Sequence, residues 1–221
     1  MRFPWYKIWL SYLTDVTIEE TASILNPKLI VYLSKGRIKL CTPNAIYSEA
    51  DHYYNFTEIF ENIKISNLKI PKTLVLGLGL GSIPFMLEKI FHVETEYKLI
   101  ELDPIIIDLF NKYVKDDLSS PMNIILMDAF EFMTTNTQKY YLICVDIFID
   151  RTTPIIFEQN EFLSKLKDAL NETGIIIYNR LLENNKDKAL NQSFDHLFNS
   201  FFPNRFIQKV KYNEMYVVIN N

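Results

Sequence analysis

Cysteine, histidine and glycine are all scarce in this chain, and each scarcity excludes something. Cys41 and Cys144 are the only two cysteines in 221 residues, too few and too far apart for a disulfide framework. His52, His92 and His196 fall at no metal-ligand spacing with those cysteines, so no metal site is expected. No apolar run approaches the roughly 18 residues of a membrane span, and the N-terminus lacks an unbroken apolar stretch of the leader type. Excess positive charge is missing too: 23 basic against 27 acidic residues leave a net charge of −4. With no basic stripe interleaved with aromatics, nucleic acid is a poor expectation as partner. These absences lead to the expectation of a cytoplasmic chain without membrane or nucleic-acid partners, whose 48% hydrophobic content suffices for a sizeable core.

Three of the five glycines, Gly77, Gly79 and Gly81, stand at alternate positions in one stretch. Before them, Thr73 to Leu76 is short, apolar and β-prone, as a strand covered on both faces should be. After them, Ser82 can cap a helix and Pro84 can sit in its first turn, while Ile83, Met86, Leu87, Ile90 and Phe91 follow a helical period. A missing Cβ at the glycines lets backbone lie close to a ligand, and a helix start aimed at them offers free N–H groups.

Residues 1–61 read as a separate β-rich domain. Lys7 to Leu13, Thr17 to Leu25, Lys28 to Leu33 and Arg37 to Thr42 are predicted strands of a meander, the last two joined through Gly36, and a helix is predicted from Asn55 to Asn62. Tyr47, Tyr53, Tyr54 and His52 lie beside acids, where they line a pocket or simply pack. Residues 62–221 alternate strand and helix, which favours a parallel sheet. Predicted strands are Thr73–Leu76, Tyr97–Ile100, Asn123–Met127, Tyr141–Val145 and Gly174–Tyr178. Predicted helices run over 83–91, 104–114, 129–134, 157–170 and 184–200. A closing hairpin is predicted from Arg205 to Ile219, turning at Asn213-Glu214.

Chemistry gathers at the strand ends. Glu101, Asp128 and Asp146 follow successive strands on the side where the glycine turn leaves the first, the edge that holds ligands in open α/β sheets. Glu101 lies 20 positions after Gly81, which suits a carboxylate accepting ribose hydroxyls, and Asp128 is placed to meet an adenine amino group. The alternative is that the acids cap the following helices, which fits Asp103 better than Glu101.

The segments Leu74 to Gly81, Leu99-Ile100-Glu101-Leu102-Asp103-Pro104, Met127-Asp128-Ala129 and Tyr141 to Asp146 resemble the class I S-adenosylmethionine-dependent methyltransferase superfamily. Within it the chain is most similar to the spermidine synthase family, over roughly residues 28–180. The resemblance implies a Rossmann-like, seven-stranded α/β class I methyltransferase fold with a small N-terminal β-meander domain. It also implies that Gly77, Gly79 and Gly81 pass under a nucleoside and its tail, and that Glu101 with Leu102 holds ribose. Asp128 with Ala129 would hold adenine, and Asp146 would orient and deprotonate an attacking amine with Tyr47 or Tyr53 nearby. Three positions depart from the family's pattern: Leu80 stands for an acid in the turn, Lys39 for a glutamine, and Ile149 for the second acid of an Asp-x-x-Asp motif, with Asp150 one residue on.

These readings imply a transferase using S-adenosylmethionine or its decarboxylated form, acting on a small-molecule acceptor such as an amine, in a chain that could form a homodimer. Leu80 and Ile149 turn the expectation toward methyl transfer to a small molecule. Aminopropyl transfer of the spermidine synthase type is the alternative, and a catalytically silent nucleoside binder the second. A nicotinamide dehydrogenase fits worst, because Ser82 stands where the dinucleotide fingerprint wants Gly or Ala and no second mononucleotide half is evident.

Overall fold

The computed structural model describes residues 3–149 and 151–220, so Asp150 lies outside the described residues. The chain opens with a helix, α1 (Trp5–Leu10), where the sequence predicts a strand. Ile8, Trp9 and Tyr12 are β-prone, but α1 buries no side chain, so no sheet face rewards that preference. Instead, Ser11 just after the helix holds the turn at Lys35-Gly36: its carbonyl accepts from Lys35 N at 2.7 Å and its Oγ from Gly36 N at 2.9 Å.

A four-stranded antiparallel meander follows in sequence order: β1 (Val16–Thr21), β2 (Leu29–Ser34), β3 (Arg37–Cys41) and β4 (Ile46–Ser48). Its β2–β3 turn has two residues, Lys35 and Gly36, both at positive φ (48° and 78°), the twist a tight hairpin needs. β1 ends at Thr21 rather than Leu25, leaving Ile24 fully exposed, and β4 is a short strand the sequence did not announce. From there the chain runs through α2 (Tyr54–Asn62) into the second sheet.

That sheet has seven strands in the order β10-β11-β9-β8-β5-β6-β7. β5 (Lys72–Leu76), β6 (Glu96–Glu101), β7 (Met122–Leu126), β8 (Tyr140–Val145) and β9 (Leu170–Leu181) are parallel. β11 (Asn213–Ile219) joins β9 antiparallel, and β10 (Phe206–Val210) joins β11. Side chains on β5 alternate between two cores, Val75 on one side and Leu74 with Leu76 on the other, so both faces are covered. β5 pairs with β6 on one side and β8 on the other, and this reversal opens a crevice at the strands' carboxyl ends.

The helices are α3 (Ser82–Phe85), α4 (Pro104–Tyr113), α5 (Ala129–Thr135), α6 (Asn160–Ala169) and α7 (Asn185–Phe201). Where one helix is predicted over 83–91, α3 gives way to a π-turn at Met86–Ile90, with Phe91 N bonding Met86 O at 2.9 Å. The extra residue rotates Ile90 off the apolar face: it is 44% exposed, while Ile83, Met86, Leu87 and Phe91 are buried. Ser82 does not cap α3 either. Gly81 holds the cap position, and the Ser82 hydroxyl meets Ser48 Oγ at 2.6 Å and accepts from Glu49 N at 3.1 Å, tying the meander to the helix start. The predicted helix 157–170 is split by the extended Gln159 into a 3-10 turn (Ile155–Glu158) and α6. The last hairpin turns at Lys211-Tyr212, two residues before the predicted place, with Lys211 at φ 50° and Asn213 already paired in β11.

Candidate active site

Each glycine of the turn has its own close neighbour. At Gly77 (φ 93°) a Cβ would lie 2.1 Å from the carbonyl oxygen of Asp146, so β5 and β8 touch backbone to backbone at their ends. At Gly79 (φ 53°) it would lie 2.9 Å from the carbonyl of Tyr47 in the meander. At Gly81 (φ 73°) a Cβ would run into the edge of the Phe110 ring, and this glycine does not line the cavity described below. Leu80, between them, points into the apolar core and is 3% exposed.

Glu101 closes β6 with its carboxylate folded back over the turn. Oε2 accepts from Leu78 N at 3.0 Å, and Oε1 from Leu102 N at 2.8 Å and Asp103 N at 3.0 Å. Burial raises its pKa, and these backbone donors oppose the rise. Asp103 is the cap of α4, accepting from Ile105 N at 3.0 Å, and its other oxygen binds Ser23 Oγ and Asn26 Nδ2, the latter at 2.8 Å. Asp128 caps α5 through Oδ1, from Phe130 N at 2.8 Å and Glu131 N at 3.2 Å, and also lines the crevice. The capping alternative therefore describes Asp103 and Asp128 and not Glu101.

Asp146 follows the last residue of β8. Tyr53 donates its hydroxyl to both carboxylate oxygens, at 3.1 Å to Oδ1 and 2.9 Å to Oδ2, and Asn179 Nδ2 donates to Oδ1 at 2.8 Å. Desolvation pushes Asp146 up to about 6, against the pull of the two donors, with the charge of Glu101 adding to the rise. Tyr53 is buried, and its phenol is pushed well above 10 by burial and by the same carboxylate, so it stays a donor. The Tyr47 hydroxyl goes elsewhere, to Asn26 Oδ1 at 2.8 Å.

Between the meander and the strand ends lies a cavity of about 540 Å³. Gly77, Gly79, Glu101, Leu102, Asp128 and Ala129 line it. Asp146, Tyr53 and Tyr47 line it as well, so the structure brings together the residues that the sequence reading assigned to cofactor or catalysis, with Gly81 the exception among them. The sequence reading missed Asn179, Asn213, Glu49, Glu183 and Lys211, all of which line it too. Glu49 pairs with Lys39 at 3.6 Å, Glu183 pairs with Arg151, and the Lys211 ammonium sits 3.2 Å from the centre of the Tyr54 ring. Asparagines in β-prone or turn-like stretches carry no sequence signal for such a role. Among the described residues no group of three or more His, Cys, Asp or Glu is arranged to hold a metal ion. No helix among the described residues is long and apolar enough to cross a membrane.

The spermine/spermidine synthase domain, taken as a family profile, matches residues 57–211. The chain belongs to that family. A probable polyamine aminopropyl transferase of Bifidobacterium longum is 24% identical over 131 residues, 59% of this chain and 29% of the relative. A polyamine aminopropyltransferase of Vibrio vulnificus is 28% identical over 116 residues, 51% of this chain and 38% of the relative. The matches thus span about a third of the length of these curated relatives. A crystal structure of spermidine synthase in complex with the transition state analogue AdoDATO superposes with a TM-score of 0.71 at 16% identity, over 93% of this chain and 74% of that one. That likeness establishes the fold. The matched segment runs from within α2 into the β10–β11 turn.

Proposed function

We propose that the chain is a transferase of the aminopropyl type, which takes decarboxylated S-adenosylmethionine and passes its aminopropyl group to an amine. The observation that carries this reading is the Tyr53–Asp146–Asn179 cluster, a charged acceptor held by two neutral donors on the wall of a cavity that Gly77, Gly79 and Glu101 also line. The residues fit the cofactor: about 540 Å³ lies within the range of small-molecule sites, and Gly77 and Gly79 line it with backbone alone. Glu101 stands at the same cavity with its carboxylate held by backbone N–H groups of the glycine turn and of Leu102 and Asp103, where ribose hydroxyls could share it. The names of the curated relatives favour aminopropyl transfer over the methyl transfer expected from Leu80 and Ile149.

When bound, the sulfonium supplies an activated carbon and a thioether leaving group, which leaves the protein to position an unprotonated amine and keep water away. Asp146 is suited to both tasks. Its Oδ2 has one donor where Oδ1 has two, so Oδ2 is the freer atom to accept a hydrogen bond, and then a proton, from the amine. With its pKa near 6 it is ionised at neutral pH yet a better proton acceptor than an ordinary Asp. Tyr53 and Asn179 fix the carboxylate plane, and Ile147, Phe148 and Phe157 give the neighbouring wall an apolar surface.

One observation favours methyl transfer as a second reading: Leu80 is buried in the core and offers no acid from the turn to an aminopropyl ammonium. The two separate on product. Incubation with each cofactor and a panel of mono-, di- and triamines should release 5′-methylthioadenosine from the decarboxylated cofactor only. Release of S-adenosylhomocysteine instead would install the methyl reading, and tight binding without either product would make the chain a silent binder.

A further inference from the structure

The Asp146 carboxylate is the end of a longer chain of hydrogen bonds that runs along the crevice wall from β9 to β11. Asn179 Nδ2 donates to Asp146 Oδ1 at 2.8 Å, and Asn213 Nδ2 donates to Asn179 Oδ1 at 2.8 Å. Both asparagines are buried, at 1% and 8% exposure, so water does not readily replace either bond. They sit on neighbouring strands: Asn213 pairs with Leu181 and Met215 with Asn179, which puts Asn213 diagonally across from Asn179 on the same face. An ionised carboxylate can only accept, so Asn179 must turn its NH₂ toward Asp146 and its oxygen away. That oxygen then needs a donor, and Asn213 supplies one.

We propose that Asn213 is a positioning residue for the transfer reaction: its amide locks Asn179 in the orientation that donates to Asp146, and so keeps Asp146 available as the proton acceptor. Without that lock the Asn179 amide can turn over and present its oxygen to the carboxylate, where two acceptors face each other. Such an arrangement favours the protonated acid. The groups around Asp146 are few. Tyr53 donates from the segment before α2, the Glu101 carboxylate acts from β6, the Cys144 thiol from β8 itself, and Asn179 from β9. His52, Arg151, Glu183 and Lys211 line the same cavity. Of the two direct donors, Asn179 also hydrogen-bonds the Tyr53 hydroxyl, and Asn213 adds the donor that holds its oxygen. Asn213 begins β11 directly after the Lys211-Tyr212 turn, so the hairpin turn that lines the cavity also fixes the lock.

The catalytic meaning of this lock rests on the role given to Asp146 above, while the lock itself can be read without turnover. Aspartate labelled with ¹³C at the carboxyl carbon gives a titration for the free protein, with the Asp146 signal identified by its loss in Asp146→Asn. Wild type should titrate near 6. Asn213→Leu, close in shape but with no donor, should move that midpoint upward by about one pH unit, and Asn179→Leu at least as far. Asn213→Ser, whose hydroxyl can still donate, should restore part of the shift and covers the case in which the Leu variant does not fold. If Asn179→Leu moves the midpoint and neither Asn213 variant does, Asn213 only builds the hairpin and the proposal is wrong. If the shift appears but the protein turns over neither cofactor, the lock stands and the transfer reading falls.

Discussion

Asp146 carries a cost that its surroundings make measurable. Its folded pKa, about 6, lies above the ordinary 3.8, so between those values the native state holds a proton that the unfolded chain has lost. Stability from this group is therefore unpenalised below about pH 4 and falls as pH rises through 6, by on the order of 2–3 kcal/mol in total. Asp146→Asn keeps the shape and both donors' partner but removes the charge. The variant should melt like wild type near pH 4 and above it at pH 8, a gap that widens between, while turnover falls at least about 100-fold. Thermal melts across that range check the sign, since a gap that is constant or reversed would mean the carboxylate is not desolvated. The glycines give a second residue-scale expectation. Gly77→Ala drives a Cβ into the Asp146 carbonyl, which cannot rotate away, whereas Gly81→Ala meets the edge of the Phe110 ring. Both stand at positive φ, but Gly77→Ala should cost more, above about 3 kcal/mol, and should lower the yield of folded protein most. That glycines were required at 77 and 79 was legible because strand, turn and helix signals agreed there. That Gly81 serves a packed ring rather than the cavity was not, since Phe110 meets it only after α4 folds back.

At the scale of elements, β9 is the strand that brings Asn179 to the crevice, and the next residue anchors it. Arg180, 4% exposed, donates from Nε to Asn191 Oδ1 and from a terminal nitrogen to Glu158, both at 2.7 Å, and lies 4.1 Å from the Phe194 ring centre. Breaking half of such a pair leaves a buried charge unmatched, so Glu158→Ala should destabilise by about 3 kcal/mol, and Arg180→Met, which removes the charge itself, by less. Denaturant melts give the order, and the reverse order would show that Arg180 acts through packing alone. Elements with two-sided burial or a clear cap were readable before folding: β5, β6 and β8, and α4 behind Asp103-Pro104. Two were not, for opposite reasons. α1 buries nothing, so local β preference had no competing pattern to correct it. The helix after the glycine turn has the right apolar residues, but its π-turn shifts the period by one, and only packing selects which apolar residue is turned out.

For the molecule as a whole, the reading of residues 1–61 and 62–221 as separate domains meets a core that crosses between them. Leu29, Val31 and Leu40 of the meander fall in one buried cluster with Val75, Leu99 and Phe110 of the large sheet. Polar ties cross the same boundary: Ser48 to Ser82, Ser23 and Asn26 to Asp103, and Glu19 to Lys112 at 2.7 Å. Two independent units would melt in two steps, with unfolding enthalpies of roughly 40 and 110 kcal/mol, whereas one cooperative unit would give a single transition of about 150 kcal/mol. The shared core predicts the single transition, with calorimetric and van't Hoff enthalpies in agreement. Asn26→Leu tests how the two parts are joined, because it removes the donor to Asp103 and the acceptor for Tyr47 in one change. It should lower the one melting temperature by several degrees, as expected for a loss of about 2 kcal/mol, without splitting the peak. If a second peak emerges in that variant, the meander unfolds on its own, and the cavity between the two sheets, including the wall that Tyr47 and Glu49 contribute, opens before the large sheet melts.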